Sequence, residues 1–407
     1  MVAQSPRYYP HVERHLNSLK KVFAQVRLLY WEKDPAEPLY ALPGVSCERV
    51  ILPFGSGGTL FFLRLMARFH FRLAALRPKN IEAIDPYALI PARLLALRAG
   101  LIRMEGGRKP RLTYFSMEYF SELPSLKDKP VKRLIWKTLE RWGASSAASG
   151  ATVCDSIAAH LRVDFGIPIV TVRNVPERGA AAQTAEAASS ARSTESAASA
   201  AIAKSVVPDA PSAGAQVADP LHLRCGLPAD ASILIYQGML QEGRGLEAAV
   251  GALASVPGIH FAVIGGGPLR ATLSGIARES GCADRLHLLG EVGFKDLAVL
   301  TRGAFAGLAP FQALSASYLY SLPGKLFEYI QAGVPVIATA LPEIRKVVEG
   351  YGVGICVEAL SPESLAAALR RMREEPGLRE GFLRNLPAAQ AELCWEAEEV
   401  RYLSLYP

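Results

Sequence analysis

The stretch Ser321-Leu-Pro-Gly-Lys-Leu-Phe-Glu-Tyr-Ile-Gln-Ala-Gly-Val-Pro-Val-Ile-Ala-Thr339 decides the fold. Pro323 falls in the first turn of a predicted short helix, Gly333 stops it, and the apolar run 334–338 follows as a strand. A helix start presents unpaired backbone N–H groups and the positive end of the macrodipole, a setting that suits phosphate. Lys325 in that turn is poorly placed against the dipole unless an anion lies nearby. Glu328, about one turn further in, can accept hydrogen bonds from sugar hydroxyls beside such a phosphate. The plain alternative is a surface helix on which both charges are solvated. Loop, helix and strand in this order point to an α/β domain with a nucleotide-sugar or related phosphate site.

The same alternation fills the C-terminal half. Strands are predicted at 233–237, 260–264, 285–289, 306–309, 334–338 and 354–357. Helices are predicted at 246–255, 269–280, 294–301, 325–331, 343–348 and 362–374. This βαβα succession argues for a doubly wound parallel sheet, whose ligands sit at the carboxyl ends of the strands. The N-terminal half is of similar kind, with helices at 11–23, 60–76, 89–99 and 130–142 and strands at 26–31, 81–84, 111–115 and 169–172. Only a handful of residues precede its first helix, so the strand that normally opens such a domain is expected to be missing or truncated. Residues 178–222 are rich in Ala and Ser and lack aromatic residues, so they read as a flexible linker or insertion. The expected division is 1–177, the linker 178–222, 223–387, and a terminal helix at 388–407 packing back on the N-terminal domain.

With 407 residues, half of them hydrophobic, the chain is long enough for two domains. A formal charge of +7 favours anionic partners: nucleotides, phospholipid headgroups or nucleic acid. No nucleic-acid recognition motif is visible, which disfavours the last. The six cysteines are scattered without CxxC or zinc spacing, so they read as reduced thiols of a cytoplasmic protein with no metal site. No apolar run reaches the ~20 residues of a membrane span; Arg64, Arg68, His70 and Arg72 interrupt the nearest candidate. Those three arginines line one helix face. Lys132, Arg133, Lys137 and Arg141 lie beside Leu134, Ile135, Trp136 and Leu139 on a second basic helix. Such a helix either rests on an anionic bilayer, here the inner face of the membrane, or packs its apolar stripe inward.

Several motifs carry a resemblance. In order they are Tyr236-Gln-Gly-Met-Leu-Gln-Glu-Gly-Arg-Gly-Leu-Glu247, Val263-Ile-Gly-Gly-Gly-Pro-Leu269, Leu289-Gly-Glu-Val292, and Pro323-Gly-Lys-Leu-Phe-Glu-Tyr329 followed by Ala332-Gly-Val-Pro-Val336. Tyr114-Phe-Ser-Met-Glu-Tyr-Phe-Ser-Glu-Leu-Pro124, Val172-Arg-Asn-Val-Pro176 and Trp395-Glu396 complete the set. In this order and spacing the chain resembles the GT-B-fold, retaining nucleotide-sugar glycosyltransferases of the group 1 type, glycosyltransferase family 4. The resemblance implies two Rossmann-like domains with the donor held by the C-terminal one. It implies donor binding by Gly238, Arg244, Gly265, Gly266, Glu291, Val292, Pro323, Gly324, Lys325 and Glu328. Catalytic roles fall to Arg244, Lys325 and Glu118, and the acceptor side to Asp85, Glu118 and Glu122. Asp85, after a strand and before Pro86, also reads as a helix cap.

The implied reaction moves a hexosyl unit from a UDP- or GDP-sugar to a glycan or lipid-linked acceptor, with retention and without metal or other cofactor, in polysaccharide biosynthesis. Three positions depart from the pattern. Tyr320 stands where the first of two paired glutamates is usual, Met117 replaces a histidine, and Met239 replaces a basic residue. Met117, Met239 and the missing opening strand carry the alternative of a catalytically impaired, glycosyltransferase-like partner or regulator. A sugar-nucleotide epimerase of the same fold would call for more cleft acids and bases than the sequence offers.

Overall fold

The computed structural model describes residues 1–53, 58–101, 109–179 and 219–407. Most of the expected linker, 180–218, lies outside them. The described chain divides into two compact units. The first comprises Met1–Val175, Leu314–Leu322 and Trp395–Pro407; the second comprises Pro176–Ala313 and Pro323–Cys394.

The first unit holds seven parallel strands: β1 (Val2–Gln4), β2 (Val26–Glu32), β3 (Val45–Ile51), β4 (Asn80–Ile84), β5 (Arg111–Ser116), β6 (Ser149–Thr152) and β7 (Ile169–Thr171). Their order is β3-β2-β1-β4-β5-β6-β7. The opening strand, expected to be missing or truncated, is therefore present in shortened form. β1 is only three residues long, yet it lies inside the sheet, with Val2 paired to Leu29 on one side and Ala83 on the other. Both neighbours supply its hydrogen bonds, so burial rather than length holds it in place. Helices Pro10–Leu19, Thr59–Leu76, Pro86–Leu101, Pro130–Ala144 and Asp155–Phe165 connect these strands or follow them in sequence. A buried carboxylate, Glu82 on β4, sits at the core. His15 Nδ1 lies 2.9 Å from one of its oxygens, and the Tyr402 and Tyr406 hydroxyls donate to the other at 2.5 Å. Burial alone would raise this carboxyl, but those hydrogen bonds and the His15 charge hold it below the ordinary range.

The second unit holds β8 (Ser232–Gln237), β9 (Ile259–Ile264), β10 (Leu286–Gly290), β11 (Ala306–Ala309), β12 (Val336–Thr339) and β13 (Gly354–Val357). They form a parallel sheet in the order β10-β9-β8-β11-β12-β13. The Gly324–Gln331 helix packs on it through Leu326, Phe327, Tyr329 and Ile330, all buried. The Tyr329 hydroxyl donates to the Leu308 carbonyl at 3.1 Å and accepts the Gln237 backbone N–H at 3.2 Å. One side chain thus ties the helix to both central strands. Its ring lies against Gly307, where a Cβ would stand 2.3 Å from the ring. Gly307→Ala is expected to destabilise this unit by about 1–3 kcal/mol through overpacking, read as a lower midpoint in urea unfolding.

The boundaries differ from expectation in two places. The Pro220–Cys225 helix belongs to the second unit, although the linker was expected to run to 222. The tail is two helices, Leu378–Glu392 and Trp395–Leu403, rather than one, and the units divide between them. The Gln331 side-chain amide donates to the Gln390 and Leu393 carbonyls at 2.8 and 3.0 Å, which ends the first helix where a single one was expected to continue. Among the described residues no helix is long and apolar enough to cross a membrane.

Candidate active site

In a doubly wound sheet the strand order reverses at one point, and the loops there diverge to leave a crevice. In the second unit this point lies between β8 and β11. The loops after β8, β9 and β10 are joined backbone to backbone. Gly238 N–H donates to Ile264 O at 2.9 Å, Leu240 N–H to Gly266 O at 2.9 Å, and Gly265 N–H to Gly290 O at 2.8 Å. The approach is close enough to require glycine. Gly265 adopts φ +139°, and a Cβ there would stand 2.0 Å from the Gly238 carbonyl oxygen. A Cβ on Gly266 would meet a Glu291 carboxylate oxygen at 2.6 Å, which places Glu291 over this turn, with half-buried Val292 next to it.

Two cations converge beside these loops. Arg244, between Gly243 and Gly245, lays its guanidinium over the Phe311 ring, 4.4 Å from the centroid. Lys325 places Nζ 3.6 Å from the Tyr236 ring centroid and 5.5 Å from that of Phe311. The same Nζ would lie 3.1 Å from a Cβ on Gly238. Pro323 caps the helix with an extended backbone and Gly324 begins it; no acidic residue occupies the first turn. Burial, and then the Arg244 charge, hold the Lys325 ammonium well below the usual lysine range, with Glu328 acting in the opposite sense. Two cations on aromatic faces at a helix N-terminus make a site that an anion would stabilise.

Glu328 accepts a hydrogen bond from the Gln237 side-chain amide, whose oxygen in turn accepts the Thr301 hydroxyl at 2.9 Å. The carboxylate is therefore oriented from behind. Gly238, Arg244, Gly265, Gly266, Glu291, Lys325 and Glu328 are thus gathered around one sheet edge. The sequence reading missed Tyr236, Gln237, Thr301 and Phe311 as site residues. The position of Gln237 at a strand end, immediately before Gly238, was the available signal.

The first unit has its own reversal point, between β1 and β4. Asp85 follows β4 directly with φ +65°, a left-handed backbone. Its carboxylate accepts the Tyr87 hydroxyl at 2.7 Å and the Met117 backbone N–H at 3.2 Å. The Asp85 main-chain oxygen accepts the Ala88 and Leu89 backbone N–H groups of the following helix, each at 3.1 Å. Burial raises the Asp85 carboxyl despite those bonds. Gln4 donates to the Tyr87 hydroxyl. Tyr9, though 37% exposed at its surface, has its hydroxyl pushed up to about 12 by desolvation and by the Asp85 and Glu118 charges, and the Met117 N–H bond brings the residue before Glu118 against Asp85. Asp85 and exposed Glu118 therefore share one neighbourhood, to which Gln4, Tyr9 and Tyr87 belong although the sequence did not single them out. Glu122 is held elsewhere: Arg133 donates to its two carboxylate oxygens at 3.1 and 2.6 Å.

Residues 231–375 match the family model described as glycosyl transferases group 1. The D-inositol 3-phosphate glycosyltransferase of Thermomonospora curvata is 29% identical over 202 residues, 46% of each chain. The chain spans about half the length of the curated relatives it matches. Among solved structures, sucrose-phosphate synthase from Thermosynechococcus elongatus superposes with a TM-score of 0.69 at 17% identity, covering 99% of this chain and 94% of that one. Anabaena HepE in complex with UDP superposes with a TM-score of 0.65 at 12% identity, covering 99% and 97%. The fold is GT-B: two parallel-sheet α/β domains of seven and six strands.

Proposed function

We propose that the protein is a glycosyltransferase that moves a hexosyl unit from a UDP- or GDP-sugar to a glycan or lipid-linked hydroxyl. The observation that carries this reading is the convergence of Arg244 and Lys325 on Phe311 and Tyr236, at the start of the Gly324–Gln331 helix. Their charge, with the helix N–H groups, offsets the diphosphate that departs when the sugar–phosphate bond breaks. Glu328 takes ribose hydroxyls, and the Gly265–Gly266 turn with Glu291 and Val292 takes the base. The acceptor oxygen attacks the anomeric carbon, and its proton passes to a departing phosphate oxygen. That route keeps the anomeric configuration and needs no metal or carboxylate nucleophile. Asp85 and Glu118 bind the acceptor's hydroxyls. The matched region and the UDP held by a structural neighbour support this assignment.

The impaired alternative rests on Met117 and Met239. Against the first, the Met117 backbone N–H fixes the Asp85 carboxylate, so the strand end keeps an acid where the histidine is lost. The test is thermal protection. UDP or GDP at about one hundred times its dissociation constant should stabilise the protein by about 2.7 kcal/mol. Melting unchanged by both nucleotides at millimolar concentration would remove the donor assignment.

A further inference from the structure

We propose that the solvent face of the Thr59–Leu76 and Pro130–Ala144 helices docks on an anionic lipid surface. The sequence left open whether the second helix turns its apolar stripe inward. Its first half does not. Val131, Leu134 and Ile135, spaced to share one side of the helix, are 70%, 66% and 51% exposed, while Glu140, Gly143 and Ala144 are buried. The Thr59–Leu76 helix likewise exposes Leu60, Leu63 and Phe71. The two are close: the Trp136 ring meets Phe62 edge-on at 5.7 Å.

Exposed cations flank this apolar face on both helices. Lys129 and Lys132 bracket the first turn of one, and Arg64 and Arg68 lie in the second and third turns of the other. Neither helix has an acidic residue in its first turn. Lys129 and Lys132, at a helix N-terminus, oppose the macrodipole, so an external anionic layer relieves them. Apolar side chains entering the acyl boundary between cations that meet headgroup phosphates is the arrangement of an interfacial helix. This face goes beyond the transfer reading, because vesicle binding is measured without donor or acceptor.

The test is flotation of the full chain with phosphatidylcholine vesicles, with and without an equal part of phosphatidylglycerol. Binding is expected only to the anionic vesicles and should weaken at about 0.3 M salt. Leu134→Ser with Ile135→Ser should lower partitioning about tenfold, and Lys132→Glu should lower it severalfold. Val163→Ser, at an 84% exposed site on another helix, should leave it unchanged. Equal behaviour of the patch variants and the parent, or a chain that stays soluble with anionic vesicles at low salt, overturns the proposal. So does sedimentation showing a self-associated chain that Leu134→Ser with Ile135→Ser makes monomeric, since the face would then belong to a second copy.

Discussion

Arg244→Ala is expected to lower kcat for transfer from a UDP- or GDP-sugar by about 10²–10³-fold, the usual effect of removing one group aimed at developing charge. The side chain is placed for this by the backbone of its own turn. Gly243 and Gly245 both take left-handed backbone, and a Cβ on Gly245 would collide with Leu360 and the Pro310 carbonyl. The turn therefore delivers the guanidinium onto Phe311, where on the proposed reading its fork meets a diphosphate. Arg244→Lys keeps the charge but not the fork and should recover only part of the loss. The readout is initial rate at saturating donor, with the melting temperature as the control for folding. A kcat within twofold of the parent would remove Arg244 from the chemistry.

The second large effect is on stability. Burial pushes the Glu140 carboxyl up to about 8, against the hydrogen bond that the Tyr114 hydroxyl donates to it at 2.6 Å. The folded chain thus holds a proton that the unfolded chain releases near the ordinary value of 4.5. Between about pH 4.5 and pH 8 the unfolded state binds fewer protons, so stability falls as pH rises through this window. The full loss is on the order of 3–5 kcal/mol. Glu140→Gln keeps an acceptor for Tyr114 and carries no titratable proton. Its unfolding free energy should be nearly flat from this source, and the variant should be the more stable protein at pH 8. Denaturant unfolding at a series of pH values reads both slopes; parallel curves would show that Glu140 is not protonated in the folded state.

How far the sequence could be read depended on how each element is stabilised. The strands of the second unit are apolar runs bounded by glycine and proline, and helix and strand periods arbitrate them cleanly. β6, Ser149–Thr152, gave no such signal because its residues are small for a packing reason. A Cβ on Gly150 would stand 2.7 Å from Ile169 and 3.0 Å from the Tyr114 carbonyl. β3 is an edge strand interrupted by Glu48 and Arg49, and β1 is too short to show alternation. The residues gathered at the β8–β11 crevice were legible because glycine turns and a capped helix are written in contiguous motifs. The Asp85 neighbourhood was only half legible, since Gln4 reaches it from a strand that the sequence did not reveal. Glu122 shows the converse: a carboxylate in the right motif can be engaged by an arginine eleven residues on.

The three joined loops after β8, β9 and β10 have a kinetic consequence. Their mutual backbone bonds tie the loops together through the chain itself, so the entropy of ordering them belongs to folding and not to the moment of encounter. A nucleotide arriving there meets a preorganised cradle. Its affinity should then be expressed in long residence more than in fast arrival, because most differences among related complexes lie in the off-rate.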